Sequence, residues 1–339
     1  MQRSQHSQGT PGTARTRDGR ELHFMELAGP DGGGSPVTVV FEGGLASVRS
    51  YWALVQRGVA GAARTVVYDR SGLGRSAPDP SGQRRLARLA GDLGDLLDHL
   101  GPGPYVLVGH SWGGPVVRLA AAARPGRIAG LVLVDPTDEA CDLLFDRSVR
   151  RLEKVRYGAA LLLARLGLLG LLFRKVTAAL PPDAAADMRA EAFTVATMRT
   201  MGAEQADIAA DLRTLRDDPP VLGDIPVTVI SATLPTPGMN AQARASINAA
   251  HAHRARQSPR GRHVLARHAD HMVPTAEPGI VVAEVERLLD SDAAAATATA
   301  TATDAAAAAA TGADPHTDAD MASLSKEPGP RDQNGQITS

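Results

Sequence analysis

Short runs of β-branched and aliphatic residues recur along the chain, and between them lie longer stretches with apolar residues at helical spacing. Seven runs read as strands: 21–27, 37–41, 65–68, 105–108, 131–134, 227–230 and 263–266. In the segment 84–100, Leu86, Leu89, Leu93, Leu96, Leu97 and Leu100 share one helical face, and the pattern stops at Gly101-Pro102; 115–123 and 277–289 behave alike. Strand followed by helix, repeated, predicts an α/β protein with a mostly parallel central sheet flanked by helices on both faces.

The alternation lapses between Asp135 and Ile225, where about ninety residues are helix-like throughout. This predicts a core over 19–135 and 225–291 interrupted by a helical cap over 136–224. The most hydrophobic run of the chain, 158–173, lies in the cap. It has sixteen residues and carries Arg165, short of the roughly twenty apolar residues that cross a bilayer. It is therefore predicted to be a buried cap helix packed over the core, with no stable membrane span. The flanking Arg150, Arg151, Lys154, Arg174 and Lys175 leave surface association through an amphipathic helix as the alternative.

The ends differ in composition. Residues 1–18 are polar and read as a disordered arm. From Ala293 to Asp314 there are only Ala, Thr, Gly and two aspartates, and the residues beyond Asp314 are polar and rich in Pro and Gly, so 292–339 is expected to be a disordered, low-complexity tail. All eleven aromatic residues lie between Phe24 and Phe193, which fits a folded body between these ends.

Charge narrows the partners. With 36 basic and 37 acidic side chains, a net charge of -1 gives no reason to expect nucleic acid, and a small-molecule substrate is the expected partner. The lone Cys141 cannot form an intramolecular disulfide, and the first twenty residues lack the apolar segment of a secretory signal, so a cytoplasmic location is expected. Nothing in the sequence indicates an oligomeric state, and neither a metal nor a cofactor is called for by the chemistry below.

Directly after the strand at 105–108 comes Gly109-His110-Ser111-Trp112-Gly113, a G-x-S-x-G pattern succeeded by a helix. That context puts Ser111 on a sharp turn with its hydroxyl projecting from the carboxyl edge of the sheet, as a nucleophile requires. A serine hydroxyl needs a positioned base. His271, between the last strand and the last helix, is the candidate, with His268 in the same loop as the alternative. His251, His253 and His263 are predicted at the surface, and His110 is predicted to be structural. From Ser231 to His268 there is no Asp or Glu, so the acid that orients the histidine must come from elsewhere. Asp135, immediately after the strand at 131–134, lies at the right edge of the sheet, and Asp138 is the alternative. Two backbone amides are needed for the developing oxyanion. Trp112 supplies one; Leu45 or Gly44, in the loop Glu42-Gly43-Gly44-Leu45, supplies the other.

Phe41-Glu42-Gly43-Gly44-Leu45, Tyr68-Asp69-Arg70-Ser71-Gly72-Leu73-Gly74-Arg75-Ser76, Gly109-His110-Ser111-Trp112-Gly113-Gly114, Leu131-Val132-Leu133-Val134-Asp135 and Asp270-His271 together resemble the α/β-hydrolase superfamily, in particular its capped, single-domain serine esterase-like branch. They span about 230 residues in the order that family uses. Two departures stand out: Glu42 replaces the usual His of the oxyanion loop, resembling a subgroup that reads Glu-x-Gly-Leu, and Asp270 replaces the usual Gly before the catalytic histidine. The acid at Asp135 resembles members that carry it one strand earlier. The resemblance implies ester hydrolysis through an acyl-serine intermediate. A lyase or cofactor-free perhydrolase would use the same triad, and a non-catalytic ligand-binding protein could share the fold. Haloalkane dehalogenases and epoxide hydrolases of similar fold attack with aspartate at the position of Ser111.

Overall fold

The computed structural model describes residues 5–30, 34–236 and 238–292. Eight strands, β1 (Thr10–Arg15), β2 (Glu21–Leu27), β3 (Ser35–Glu42), β4 (Ala63–Tyr68), β5 (Tyr105–His110), β6 (Ile128–Val134), β7 (Val227–Ala232) and β8 (Gly261–Ala266), form one sheet in the order β1-β2-β4-β3-β5-β6-β7-β8. From β4 to β8 all pairings are parallel, whereas β2 lies antiparallel to both β1 and β4. Every residue of β5 and β7 is buried. Strands covered on both faces must be apolar almost throughout, which is why continuous aliphatic runs mark them.

The helices run in chain order as α1 (Ala53–Val59), α2 (Leu86–Leu100) and α3 (Gly113–Ala123) in the first half of the core. Then come α4 (Arg147–Arg165), α5 (Leu169–Leu172), α6 (Arg174–Ala179), α7 (Pro182–Glu191) and α8 (Val195–Asp217), all between β6 and β7. The last three are α9 (Ala241–Arg256), α10 (Val273–Ala276) and α11 (278–292). Alternate side chains of each strand point to opposite faces. On one face Leu107, Leu131 and Leu133 pack with Leu93 of α2 and Val116 of α3. On the other, Val106, Val108 and Val132 pack with Val281 and Leu288 of α11. Burying these two layers fixes the sheet and therefore the position of its carboxyl edge.

Two expectations are corrected. The segment read as a disordered arm supplies the edge strand β1. Only Ala14 of that strand is buried, so no apolar alternation announces it. Order comes instead from the backbone ladder to β2, a turn at Asp18-Gly19 with Gly19 at φ 86°, and the buried Arg20, which donates to both oxygens of Asp92. The apolar run 158–173 is not one buried helix. It breaks after Arg165, with Gly167 at φ 70°, and much of its aliphatic surface, including Leu162, Leu171 and Leu172, is exposed. No helix among the described residues is long and apolar enough to cross a membrane. The expected tail lies outside the described residues from 293 onward.

Candidate active site

Ser111 stands just past β5 at the carboxyl edge of the sheet in a left-handed backbone conformation, φ 53°, that costs a non-glycine residue on the order of 1–3 kcal/mol. The turn is held closed on every side: the Ser111 amide donates to the Val134 carbonyl at 3.1 Å, and its own carbonyl accepts from Gly114 and Thr137 at 3.0 and 2.9 Å. Gly113 is required by the close approach of the neighbouring loop, since a Cβ there would stand 2.6 Å from the carbonyl oxygens of both Glu42 and Gly43. The strained conformation thus aims the Ser111 hydroxyl away from the sheet and into the cavity above.

There it meets His271, which stands between β8 and α10. Ser111 Oγ donates to His271 Nε2 at 3.0 Å, and His271 Nδ1 donates to Asp135 Oδ2 at 2.6 Å. Asp135 succeeds β6 as Ser111 succeeds β5, also in a left-handed conformation, φ 41°. Its carboxylate is buried and further held by the Ala232 amide at 3.0 Å and by Arg244 of α9 at 2.8 and 3.1 Å. Burial alone would raise the pKa of this group. The His271 hydrogen bond, with the nearby imidazoles and the charge of Arg244, outweighs it and holds Asp135 far below the ordinary carboxylate range. An ionised Asp135 is what keeps the Nδ1 proton on His271 and leaves Nε2 free to accept. His110 is locked nearby, donating from Nε2 to the His271 carbonyl at 2.8 Å. Burial, with His271 close by, lowers His110 to about 3, so it is neutral.

The loop after β3 passes against this array. A Cβ on Gly44 would lie 3.0 Å from Ser111 Cβ and 3.1 Å from His110 Nδ1, so a larger residue there would press on both side chains. Arg70, fully enclosed, donates to the carbonyls of Gly43 and Gly44 at 2.6 and 2.5 Å. In a trans peptide the N–H points opposite to the C=O. Holding these two carbonyls therefore turns the amides of Gly44 and Leu45 to the other side, and both residues line the cavity beside Ser111. Among the described residues no group accepts from the amides of Gly44, Leu45 or Trp112. The Glu42 carboxylate accepts from Arg70 at 2.6 Å and from the Tyr68 hydroxyl, which satisfies the charge on the residue that departs from the usual loop motif.

The cavity over Ser111 measures about 300 Å³. Val48 and Tyr51 lie on its core side, and Leu169, Phe173, Met198 and Met201 on its cap side. The inner cap helices are fastened to the core by buried charge. Glu204 of α8 accepts from Arg70 at 2.8 Å and from Arg84 at 2.6 Å. Asp187 and Glu191 of α7 accept from Arg49, which also pairs with Asp69 at 2.6 Å. Asp211 accepts from Arg85 and from the Leu86 amide at the start of α2.

The structure thus brings Ser111, His271 and Asp135 together, with Leu45, Gly44 and Trp112 around them. The two alternatives lie elsewhere. Asp138 is paired with Arg254 at 2.7 Å, and His268 is exposed, with its amide on Glu277. The expectation that His251 and His263 sit at the surface is corrected. His251 is fully buried, donating to the Pro136 carbonyl at 2.7 Å and accepting from Ser231 at 2.8 Å; His263 donates to the same hydroxyl. His251 is enclosed behind β6 and β7, whereas His263, on the edge strand β8, is half-buried. Arg244 has no signal in the sequence, since an Ala- and Arg-rich helix carries no sign of which arginine turns inward. Arg70 stands in the motif at 68–76, but its partner Glu204 lies 134 residues away.

A mostly parallel eight-stranded sheet in this order, flanked by helices, is the α/β-hydrolase fold. A family model described as the alpha/beta hydrolase fold matches residues 36–195, and the solved structures that superpose on the chain share that fold. A 44-residue stretch, 13% of this chain and 17% of the relative, is 59% identical to the lipase LipV of Mycobacterium tuberculosis. The chain spans less than half the length of the curated relatives it matches. Among solved structures, the epoxide hydrolase CorEH superposes with a TM-score of 0.64 at 19% identity, over 83% of this chain and 98% of the other. An esterase from Thermogutta terrifontis superposes with a TM-score of 0.60 at 21% identity, over 84% and 99%. At these identities the likeness is one of fold.

Proposed function

We propose that the protein is a serine hydrolase that cleaves an ester of a small, largely apolar substrate through an acyl-serine intermediate. The observation that carries this reading is the unbroken series from Ser111 Oγ through His271 to the ionised Asp135, at 3.0 and 2.6 Å, with unpaired amides beside it. In the first half-reaction the Ser111 proton passes to His271 Nε2 as Oγ bonds to the ester carbonyl carbon. The negative charge that develops on the carbonyl oxygen is met by the amides of Leu45 and Trp112, each such donor being worth about 3–4 kcal/mol in comparable sites. The C–O bond to the alcohol breaks and His271 returns the proton to the leaving oxygen. In the second half, water gives a proton to His271 and attacks the acyl carbon, the acid leaves, and Ser111 recovers its proton.

A serine at the elbow favours acyl transfer over epoxide opening, for which similar folds use a carboxylate. The cavity is at the small end of the roughly 300–1,000 Å³ typical of ligand sites, and its apolar lining favours a compact hydrocarbon group on the acyl or alcohol side. Labelling with a fluorophosphonate probe, then an ester chain-length series, tests the reading. Wild type is expected to label and Ser111→Ala is not, with turnover falling as the acyl chain outgrows the cavity. Equal labelling of both, or none of either, would refute it.

A further inference from the structure

Of ten conspicuously exposed large aliphatic side chains among the described residues, seven lie in 152–172, on the outer cap. Spacings of three, seven and four residues put Leu152, Val155, Leu162 and Leu166 on one face of α4 and its C-terminal turn, at 3.6 residues per turn. Leu171 and Leu172, 64% and 68% exposed, extend the patch through α5. The stretch 147–175 also carries eight Arg and Lys side chains against the single carboxylate of Glu153, in a chain whose net charge is -1. The arginines of the inner cap contacts are spent on buried carboxylates. Among the described residues, none of these eight forms an ion pair. On α4, Arg151, Lys154 and Arg165 flank the aliphatic stripe on one side and Arg156 on the other, while Arg174 and Lys175 come soon after Leu172.

We infer that the α4–α6 face docks on an anionic lipid surface. An exposed aliphatic face flanked by unpaired cations suits the plane where acyl chains meet negatively charged headgroups. A purely apolar partner would leave the cations without a role, and a soluble polyanion would leave the leucines without one. The patch is the outer side of the cavity roof: Ala160, Leu169 and Phe173, from the same helices and the turn after α5, line the cavity above Ser111. Docking would therefore bring the cavity close to molecules dissolved in the lipid layer. The inference concerns binding and stands apart from the ester reading.

Co-sedimentation of the full chain with vesicles tests it. Phosphatidylcholine vesicles containing roughly one phosphatidylglycerol in three should bind at least about tenfold more protein than phosphatidylcholine alone, and concentrated salt should abolish the difference. The double variants Leu171→Asp/Leu172→Asp and Arg151→Glu/Lys154→Glu should each lose most of the binding, with unchanged thermal melting and unchanged labelling of Ser111. Equal binding to both vesicle types, or full binding by both variants, would overturn the inference. So would light scattering that shows a dimer in solution that the leucine variant converts to a monomer without any vesicle binding, which would assign the patch to a second copy.

Discussion

Ser111 and Asp135 stand at the ends of neighbouring buried strands, each in a left-handed conformation fixed by hydrogen bonds, whereas Phe173, across the cavity, stands on a short, largely exposed helical turn. The floor of the cavity gets its geometry from the sheet, and every polar group in the Ser111–His271–Asp135 series has a specified partner. The roof gets its position from an apolar seam, in which Leu180, Ala184, Ala185 and Met188 pack on Val48, Tyr51 and Leu73, and from ion pairs on its inner helices, while its outer helices bury little. A site that must hold three side chains to within tenths of an ångström, beneath a surface that needs only to enclose an apolar group, calls for this division. It also predicts that damage to the two parts will look different.

The largest effect belongs to the floor. Ser111→Ala should lower kcat by about 10⁶, as for nucleophiles of comparable triads, with little change in urea unfolding, since alanine keeps the backbone conformation and only the hydrogen bond to the partly exposed His271 is lost. Asp135→Asn should come next, with a loss of about 10⁴ in kcat, because the amide cannot hold the Nδ1 proton on His271; if Asp135 were only structural, the loss would appear in the unfolding midpoint instead.

The roof should answer in stability first. Glu204→Gln removes the partner of two buried arginines and should cost on the order of 3–5 kcal/mol in urea unfolding, against a negligible cost if the cap were loosely attached. The smallest effect concerns His23, which lies close to the charges of Arg49 and Arg75. Burial and those two arginines lower it to about 4 from an ordinary 6.5. The unfolded chain therefore binds a proton that the folded chain refuses, so stability should fall as pH drops from about 6.5 towards 4. His23→Gln should reduce the slope of that part of the urea-midpoint profile, to which the buried His110 also contributes; an unchanged slope would remove His23 from the account.

The same division explains which parts are legible in the sequence. The core strands are visible because burial on both faces makes them apolar, and Ser111 because the elbow leaves a local signature between a strand and a helix. His271 and Asp135 emerge from their places after strands, which chain order reveals. The edge strand β1 escapes notice because it is built from backbone pairing and polar anchors such as Arg20 with Asp92, although Asp18-Gly19 is a hairpin signal that could announce it. The ion pairs of the roof join residues more than a hundred positions apart, as Arg84 and Glu204 do, and no local pattern marks such partners. The run 158–173 misleads in the opposite sense, since hydrophobicity alone does not say whether a helix faces a cavity or the outside.

Arg70 touches both halves of this division, with one edge of its guanidinium on the carbonyls of the loop beside Ser111 and another on Glu204 of the cap. For anyone wishing to retune this protein by exchanging its cap for another, that side chain sets the terms. A transplanted roof that does not present a carboxylate at the same spot would leave Arg70 with Glu42 as its one buried counter-charge and its Nε edge without a partner, which would loosen its hold on the loop, so the graft would be inherited as a defect beside Ser111 even if it folded well. The cap is interchangeable only together with the acid that answers Arg70.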